Sequence, residues 1–197
     1  MSKFEALDQL VDEGNGFLQT ATVLENNISK QTLAKYVETR SMKRAAHGVY
    51  MLENAWPDDY YLLYLRNRRV VFSYESALYL HNLIDREPSV TTVSVPKCYN
   101  STHIAKQGVR VIHTKPEWYE IGITRVKTVF GNEVPVYDRE RTICDIIRRK
   151  DEMDIQIFQY AIKEYLASGG KNIHRLMDYA KKFQIESVVR TYTEILL

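Results

Sequence analysis

The sequence predicts an α+β protein made of two domains, and three observations support this expectation. Residues 16–52 combine two helical patterns with a pair of short strand-like runs. Residues 90–137 are rich in Val, Ile, Thr and Tyr, which is typical of strands. From Asp138 onward, apolar residues recur at helical spacing. These changes in character predict a first domain over residues 1–55 and a second domain over residues 56–197.

Composition allows a folded core and argues against several functional classes. The chain has 197 residues, of which 45% are hydrophobic, so it is long enough to bury a core. Its net charge of +2 is too small to indicate nucleic-acid binding by itself. Neither Cys98 nor Cys144 has a second ligand at zinc spacing, so we expect no metal site and no cofactor. Without a signal peptide or a membrane-length apolar run, we expect a cytoplasmic protein with no membrane partner.

The first predicted helix covers residues 3–13. Phe4, Leu7, Leu10 and Val11 form one apolar stripe, and the run 14–16 ends the helix. The next helix is expected to begin at Thr20 as its N-cap.

A third helix is expected from Ser29, as its N-cap, to about residue 40. At 100° per residue, Leu33 and Val37 face one side of this helix. The opposite side is then Gln31, Lys35 and Thr39, with Thr32 and Glu38 at its edges.

A basic hairpin is predicted directly after this helix. Residues 42–46 and 49–52 are expected to be strands, joined by a tight turn in which Gly48 can adopt a positive φ. Lys43, Arg44 and His47 lie on this hairpin. Between residues 28 and 50 there are five Lys and Arg residues against the single anion Glu38, so positive charge is concentrated locally.

A helix with a polar outer face followed by a basic hairpin is the arrangement of a winged helix-turn-helix, in which the helix reads the major groove and the wing contacts phosphates. The sequence therefore predicts a surface for double-stranded DNA. The expected DNA-binding residues are Ser29, Lys30, Gln31, Thr32, Lys35, Tyr36, Thr39, Arg40, Lys43, Arg44 and His47. The alternative is an ordinary amphipathic helix with a solvated face.

The second domain is expected to open with a helix and an extended run. Residues 57–59 supply a proline and an acidic cap before a helix over 60–66, and residues 70–72 begin extended before a helix capped by Ser73. The basic cluster formed by Arg66, Arg68 and Arg69 is either a solvated turn or a second phosphate contact.

A small, mainly antiparallel sheet is expected next. Its strands are predicted over residues 90–95, 109–114, 119–128 and 134–137, with a hairpin turn at Gly131 and Asn132.

Helices are predicted for the rest of the chain, over residues 138–149, 153–166, 172–181 and 185–195. In the first of them, the apolar residues Ile143, Ile146 and Ile147 are expected to face the core. The arginines expected to face outward are Arg139, Arg141, Arg148 and Arg149. Such a surface is either solvated or the working surface of the second domain.

Three blocks resemble the antitoxins of abortive-infection type E systems, the AbiEi-like proteins. They are the helix SKQTLAKYV with the wing ending HGVY, the segment SYESALYLH, and the segment YDRERTICDIIR. The resemblance implies a winged helix followed by an antitoxin domain that neutralises a nucleotidyltransferase-like toxin. It also implies autorepression of the operon through binding to inverted repeats in the operator.

No catalytic constellation is found in the sequence, so we expect no enzyme. The five histidines have no zincin spacing, and phosphate-binding loops and nucleophile elbows are absent. The acidic cluster of Asp151, Glu152 and Asp154 is interpreted as a helix N-terminus. Two alternatives stay open. One is a winged-helix regulator of another operon whose second domain binds a ligand or a partner, and the other is a nucleic-acid-processing enzyme that uses the wing for docking.

Overall fold

The computed structural model describes residues 2–196, with side chains up to residue 194. Met1 and Leu197, the outer ends of the two predicted domains, lie outside the described residues. Within that range the protein is α+β, with eleven α-helices and two sheets. The chain forms two compact units. The first unit contains residues up to Arg68 together with Lys127–Val134, and the second contains Arg69–Val126 and the chain from Pro135 onward.

The first unit has the element order α-β-α-α-β-β-α. Its elements are α1 (Lys3–Glu13), β1 (Phe17–Gln19), α2 (Thr20–Glu25), α3 (Lys30–Thr39), β2 (Lys43–Ala46), β3 (Val49–Met51) and α4 (Asp59–Arg66). Polar caps start three of the four helices. Ser2 forms a capping box with Glu5 at α1, Ser29 caps α3, and Asp58 caps α4.

The first sheet has the order β1-β3-β2 and is antiparallel. Successive residues of a strand face opposite sides of a sheet, and the neighbours Phe17 and Leu18 accordingly join different apolar clusters. Leu18 packs with residues of α1, α2 and α3. Phe17 and Val49 pack with Leu62 and Leu65 of α4. The sheet is therefore covered by helices on both faces.

The second sheet and the remaining helices follow in sequence. They are β4 (Val71–Phe72), α5 (Tyr74–Leu80), β5 (Thr92–Pro96), α6 (Thr102–Ala105), β6 (Arg110–Thr114), α7 (Pro116–Tyr119), β7 (Ile123–Lys127), β8 (Glu133–Tyr137), α8 (Arg139–Arg148), α9 (Ile155–Ala167), α10 (Ile173–Lys182) and α11 (Glu186–Leu196). A 3₁₀ turn, Lys150–Glu152, separates α8 from α9, and Asp154 caps α9.

The second sheet has the order β6-β5-β4-β8-β7 and is mixed. The expectation of a mainly antiparallel sheet was wrong, because β5 pairs with β6 and β4 with β8 in parallel. A parallel pair needs a crossover of about a dozen residues, and residues 97–109 with the short helix α6 provide one between β5 and β6.

Helix α8 is the centre of the core of the second unit. Every residue from Glu140 to Ile147 is buried. Its apolar side chains pack with residues of α5, α9, α10 and α11. His81, at the end of α5, donates from Nε2 to the carbonyl oxygen of Tyr137 at 2.7 Å. Burial lowers the pKa of this imidazole, which favours its neutral form.

Several expected boundaries differ from the structure. Thr20 is the first residue of α2 and not its N-cap, a position that Gln19 occupies without a side-chain bond. The strand expected over 119–128 starts later, at Ile123, because Tyr119 ends α7. The first compact unit includes α4 and so extends beyond the boundary expected after residue 55. Across residues 2–196, no helix has the length and apolar character needed to span a membrane.

Candidate nucleic-acid interface

The outer face of α3 carries a set of exposed polar side chains. Ser29 fixes the start of the helix, since its Oγ accepts from the amide of Thr32 at 3.2 Å. The residues expected to face outward, Gln31, Lys35 and Thr39, are all exposed, as is Lys30. The hydroxyl of Thr39 donates to the carbonyl oxygen of Lys35 at 2.7 Å, so its proton is used within the helix. Lys30, Gln31 and Lys35 are thus the side chains best able to reach a ligand.

Tyr36 was expected to contact DNA, but it is buried, with 1% of its surface exposed. Its hydroxyl donates to Oδ1 of Asp8 in α1 at 2.7 Å. Burial and the bond to Asp8 raise the pKa of this phenol to about 12. The reason for the error is geometric: Tyr36 lies three residues after the buried Leu33, which places both on the inner face of α3. Tyr36 is therefore a core residue.

Arg40, which follows α3, is also bound within the first unit. Its Nη2 lies 2.6 Å from Oδ2 of Asp8, while the other oxygen of that carboxylate accepts from Tyr36. The hydrogen bond from Tyr36, followed by the contact with Arg40, lowers the pKa of Asp8. Asp8 thus joins α1 to the end of α3, and only part of the Arg40 guanidinium is available to a ligand.

The basic hairpin expected after α3 is confirmed as β2 and β3. Gly48 has a φ of +68° in its turn, and its carbonyl oxygen accepts from the amide of Thr20 at 2.8 Å. Lys43, Arg44 and His47 are exposed. Lys43 pairs with Glu53 at 2.8 Å, but both side chains are about two-thirds exposed, and such surface pairs are weak. Arg44 Nη2 lies 3.1 Å from Nδ1 of His47, so these two side chains share the tip of the hairpin.

In the second unit, Arg141 was expected to project outward, but it is 1% exposed. Its Nε donates to Asp145 at 2.8 Å, and its Nη1 donates to the carbonyl oxygens of Trp118 and Ile121. The rings of Tyr137 and Phe183 lie 4.3 Å from its Cζ. An exposed stripe was expected because the apolar residues of α8 mark one face, yet neighbouring elements cover the helix on nearly all sides. Arg141 is therefore a structural residue of the core.

The other three arginines of this segment differ in their surroundings. Arg148 is exposed, but its Nη1 lies 3.4 Å from the buried Asp145, and its Cζ lies 4.4 Å from the ring centroid of Trp118. Arg149 pairs with Glu152 at 3.1 Å. Arg139 is half-buried, and its Cζ lies 5.8 Å from the ring centroid of Tyr165. Only Arg148 and Arg149 therefore offer an accessible positive surface at the end of α8.

No metal-binding geometry is found among the described residues. In that range, no group of three or more His, Cys, Asp or Glu side chains is arranged to hold a metal ion.

Comparisons with known proteins identify the fold and no more. No family model matches the chain, and no curated protein matches it in sequence. Among solved structures, the chain is similar to the Rv2827c protein from Mycobacterium tuberculosis. The alignment covers 92% of this chain and 72% of that one, with a TM-score of 0.57 and 13% sequence identity. At that identity the similarity describes a shared fold.

Proposed function

We propose that the first unit is a winged helix-turn-helix that binds duplex DNA. In this proposal α3 is the reading helix and β2 with β3 is the wing. The observation that carries the proposal is the presence, in one compact unit, of an exposed polar face on α3 and an exposed basic hairpin directly after it. Lys30, Gln31 and Lys35 would contact base edges and phosphates in the major groove, whereas Lys43, Arg44 and His47 would contact phosphates.

We further propose that the protein is the antitoxin of a phage-defence toxin-antitoxin pair. It would repress its own operon by binding inverted repeats in the operator, and would neutralise a nucleotidyltransferase-like toxin in the cytoplasm without catalysing a reaction itself. The three sequence blocks that resemble AbiEi-like antitoxins support this role, and they fall on α3 and the wing, on α5, and on α8. The exposed Arg148 and the half-buried Arg149 at the end of α8 are the candidate surface for the second activity.

A second candidate function is a regulator of another operon whose second unit binds a small ligand. A cavity of about 650 Å³ between residues 84–89 and the start of α9 favours it, since that volume is typical of ligand sites. Ile84, Pro88 and Ile157 supply apolar groups to the cavity wall, which also contains charged residues such as Asp85 and Arg86.

The test of DNA binding is a titration of the duplex from upstream of the gene with a variant of α3. Gln31→Ala combined with Lys35→Ala should weaken binding, because each lost base contact costs about 1 to 3 kcal/mol. The control is Gln159→Ala with Lys163→Ala, which removes the same residue types at the same spacing from the exposed face of α9. We expect the control to bind like the wild type. Equal affinity of the α3 variant and the wild type would exclude α3 as the reading helix.

A further inference from the structure

Two arginines at the end of α4 reach the sheet of the first unit. Arg66 Nη2 donates to the carbonyl oxygen of Ala45 at 2.8 Å. Arg68 Nη2 donates to Oε1 of Gln19. Since β1 and β2 flank β3, Arg66 contacts one edge strand and Arg68 contacts the other.

The strand register places both contacts at the hairpin end of the sheet. Gln19 pairs with Val49, and Val49 pairs with Ala46, so these three residues form one row across the sheet. The outer members of the row are about 10 Å apart, which is two antiparallel spacings. His47 and Gly48 follow Ala46 directly and form the turn. The two arginines are therefore anchored at the level of the wing turn.

Arg66 binds where the ladder between β2 and β3 is interrupted. The register shifts between Arg44 and Ala46, which leaves Ala45 as the extra residue of a bulge. A carbonyl group that has left the ladder needs another donor, and Arg66 provides one. A guanidinium has five N–H donors, so this contact leaves most of them free for a second acceptor.

The two segments that carry the arginines at this end of the sheet contain no acidic residue. The segments 43–50 and 62–68 contain Arg44, Arg66 and Arg68 but no Asp or Glu. Among the described residues, none of these three arginines forms an ion pair. All three are exposed. The Cζ of Arg68 lies 4.8 Å from the ring centroid of Tyr64, which orients the side chain without neutralising its charge.

We propose that Arg66 and Arg68 bind phosphates of the DNA duplex next to those contacted by the wing, and so extend the interface from the hairpin onto α4. This inference rests on the proposed DNA-binding function. Guanidinium groups match phosphate oxygens bidentately, and anchoring to the sheet reduces the entropy lost on binding. Phosphate contacts carry no sequence information, so both arginines should contribute equally to the affinity for operator DNA and for unrelated DNA.

The test measures the salt dependence of DNA affinity for Arg66→Gln combined with Arg68→Gln. Each lost phosphate contact should reduce the slope of log K against log salt by about 0.9. Between 50 and 200 mM salt, the wild type should therefore lose about tenfold more affinity than the double variant. We expect the same difference on the duplex from upstream of the gene and on a scrambled duplex of equal length.

Two further variants separate charge from structure. Arg66→Lys with Arg68→Lys keeps both charges and should retain the wild-type slope, which a purely structural role in the wing would not allow. Arg175→Gln with Arg190→Gln makes the same change in charge at exposed positions of α10 and α11, and should also leave the slope unchanged. If Arg66→Gln with Arg68→Gln binds DNA with the wild-type slope, the inference about these two arginines is overturned, whereas the proposed DNA-binding function is not. A wild-type protein that binds neither duplex would overturn the proposed function as well.

Discussion

The buried guanidinium of Arg141 is held by hydrogen bonds and by aromatic rings. The rings of Tyr137 and Phe183 each lie 4.3 Å from Cζ, Asp145 accepts from Nε, and two carbonyl oxygens accept from Nη1. Asp145 is itself 2% exposed. A buried carboxylate that loses its partner is strongly destabilising, even where the intact pair adds little net stability. The pair is therefore a point of vulnerability in the core of the second unit.

We expect Arg141→Met to lower the free energy of unfolding by about 3 to 5 kcal/mol, measured by urea denaturation. The control Arg190→Met removes an exposed arginine that also pairs with an acidic residue four positions away, and should cost less than about 1 kcal/mol. Adding Asp145→Leu to Arg141→Met should restore part of the stability, because it removes a buried carboxylate whose remaining ionic partner is Arg148 at 3.4 Å. A loss no greater than that of the control would show that Asp145 does not depend on Arg141.

The position of Arg141 could not be predicted from helical spacing alone, whereas the burial of Tyr36 follows from its position three residues after Leu33. Spacing identified Leu33 in α3 and the isoleucines of α8 as core residues, and all of these are buried. Spacing does not show what covers the other faces of a helix, and Trp118, Ile121 and Phe183, which contact Arg141, lie far away in the chain. Asp145 four residues after Arg141 was the one local signal of this pair.

At the scale of elements, Asp58 organises the first unit by joining a helix to a distant turn. One carboxylate oxygen caps α4 through the amide of Tyr61 at 3.0 Å. The other oxygen accepts from the hydroxyl of Thr128 at 2.6 Å and from the side-chain Nδ2 of Asn132 at 2.8 Å. Asp58 is 1% exposed. Removal of its carboxylate would therefore deprive all three donors of a buried acceptor.

Replacing Asp58 by Ala should therefore cost about 3 kcal/mol or more, combining a lost cap with two buried donors left unpaired. Its neighbour Asp59 is exposed at the first position of the same helix, and Asp59→Ala should cost less than about 1 kcal/mol. Chemical denaturation of both variants measures the difference. Thr128→Val should cost less in the Asp58→Ala background than in the wild type. Equal effects of the two aspartate substitutions would contradict this role for Asp58.

Elements with a full local signal were predictable, and short ones were not. The expected bounds of α1 match the structure, and the cap of α3 and the strands of the wing were found. The strand β1 has three residues, and α6 and α7 have four each, which is too short to show a period. Parallel pairing was missed because it depends on which strands meet across the sheet and not on their own residues.

On the scale of the whole molecule, the two proposed activities use different units. DNA binding is assigned to α3 and the wing, and neutralisation of a toxin to the basic surface at the end of α8. Arg148 is unsuitable for testing the second surface, because reversing its charge would place a carboxylate beside the buried Asp145. Arg149 is better, since its partner Glu152 is about half exposed and a new repulsion there is screened by solvent.

We predict that the two activities can be separated by variants of the two units. Gln31→Ala with Lys35→Ala should release a reporter placed behind the upstream region of the gene, yet still rescue cells that express the proposed nucleotidyltransferase-like toxin. Arg149→Glu should repress the reporter and fail to rescue. Arg149 is half-buried, and its Cζ lies 5.7 Å from the ring centroid of Tyr74, so thermal melting is measured in parallel to show that the variant is folded. Lys163→Glu makes a charge reversal at an exposed position of α9 and should behave like the wild type, which represses the reporter and rescues the cells. Full rescue by Arg149→Glu would show that the end of α8 is a solvated face with no role in neutralising the toxin. Loss of rescue in the α3 variant at unchanged protein levels would show instead that neutralisation requires DNA binding, and the two activities would then belong to one mechanism.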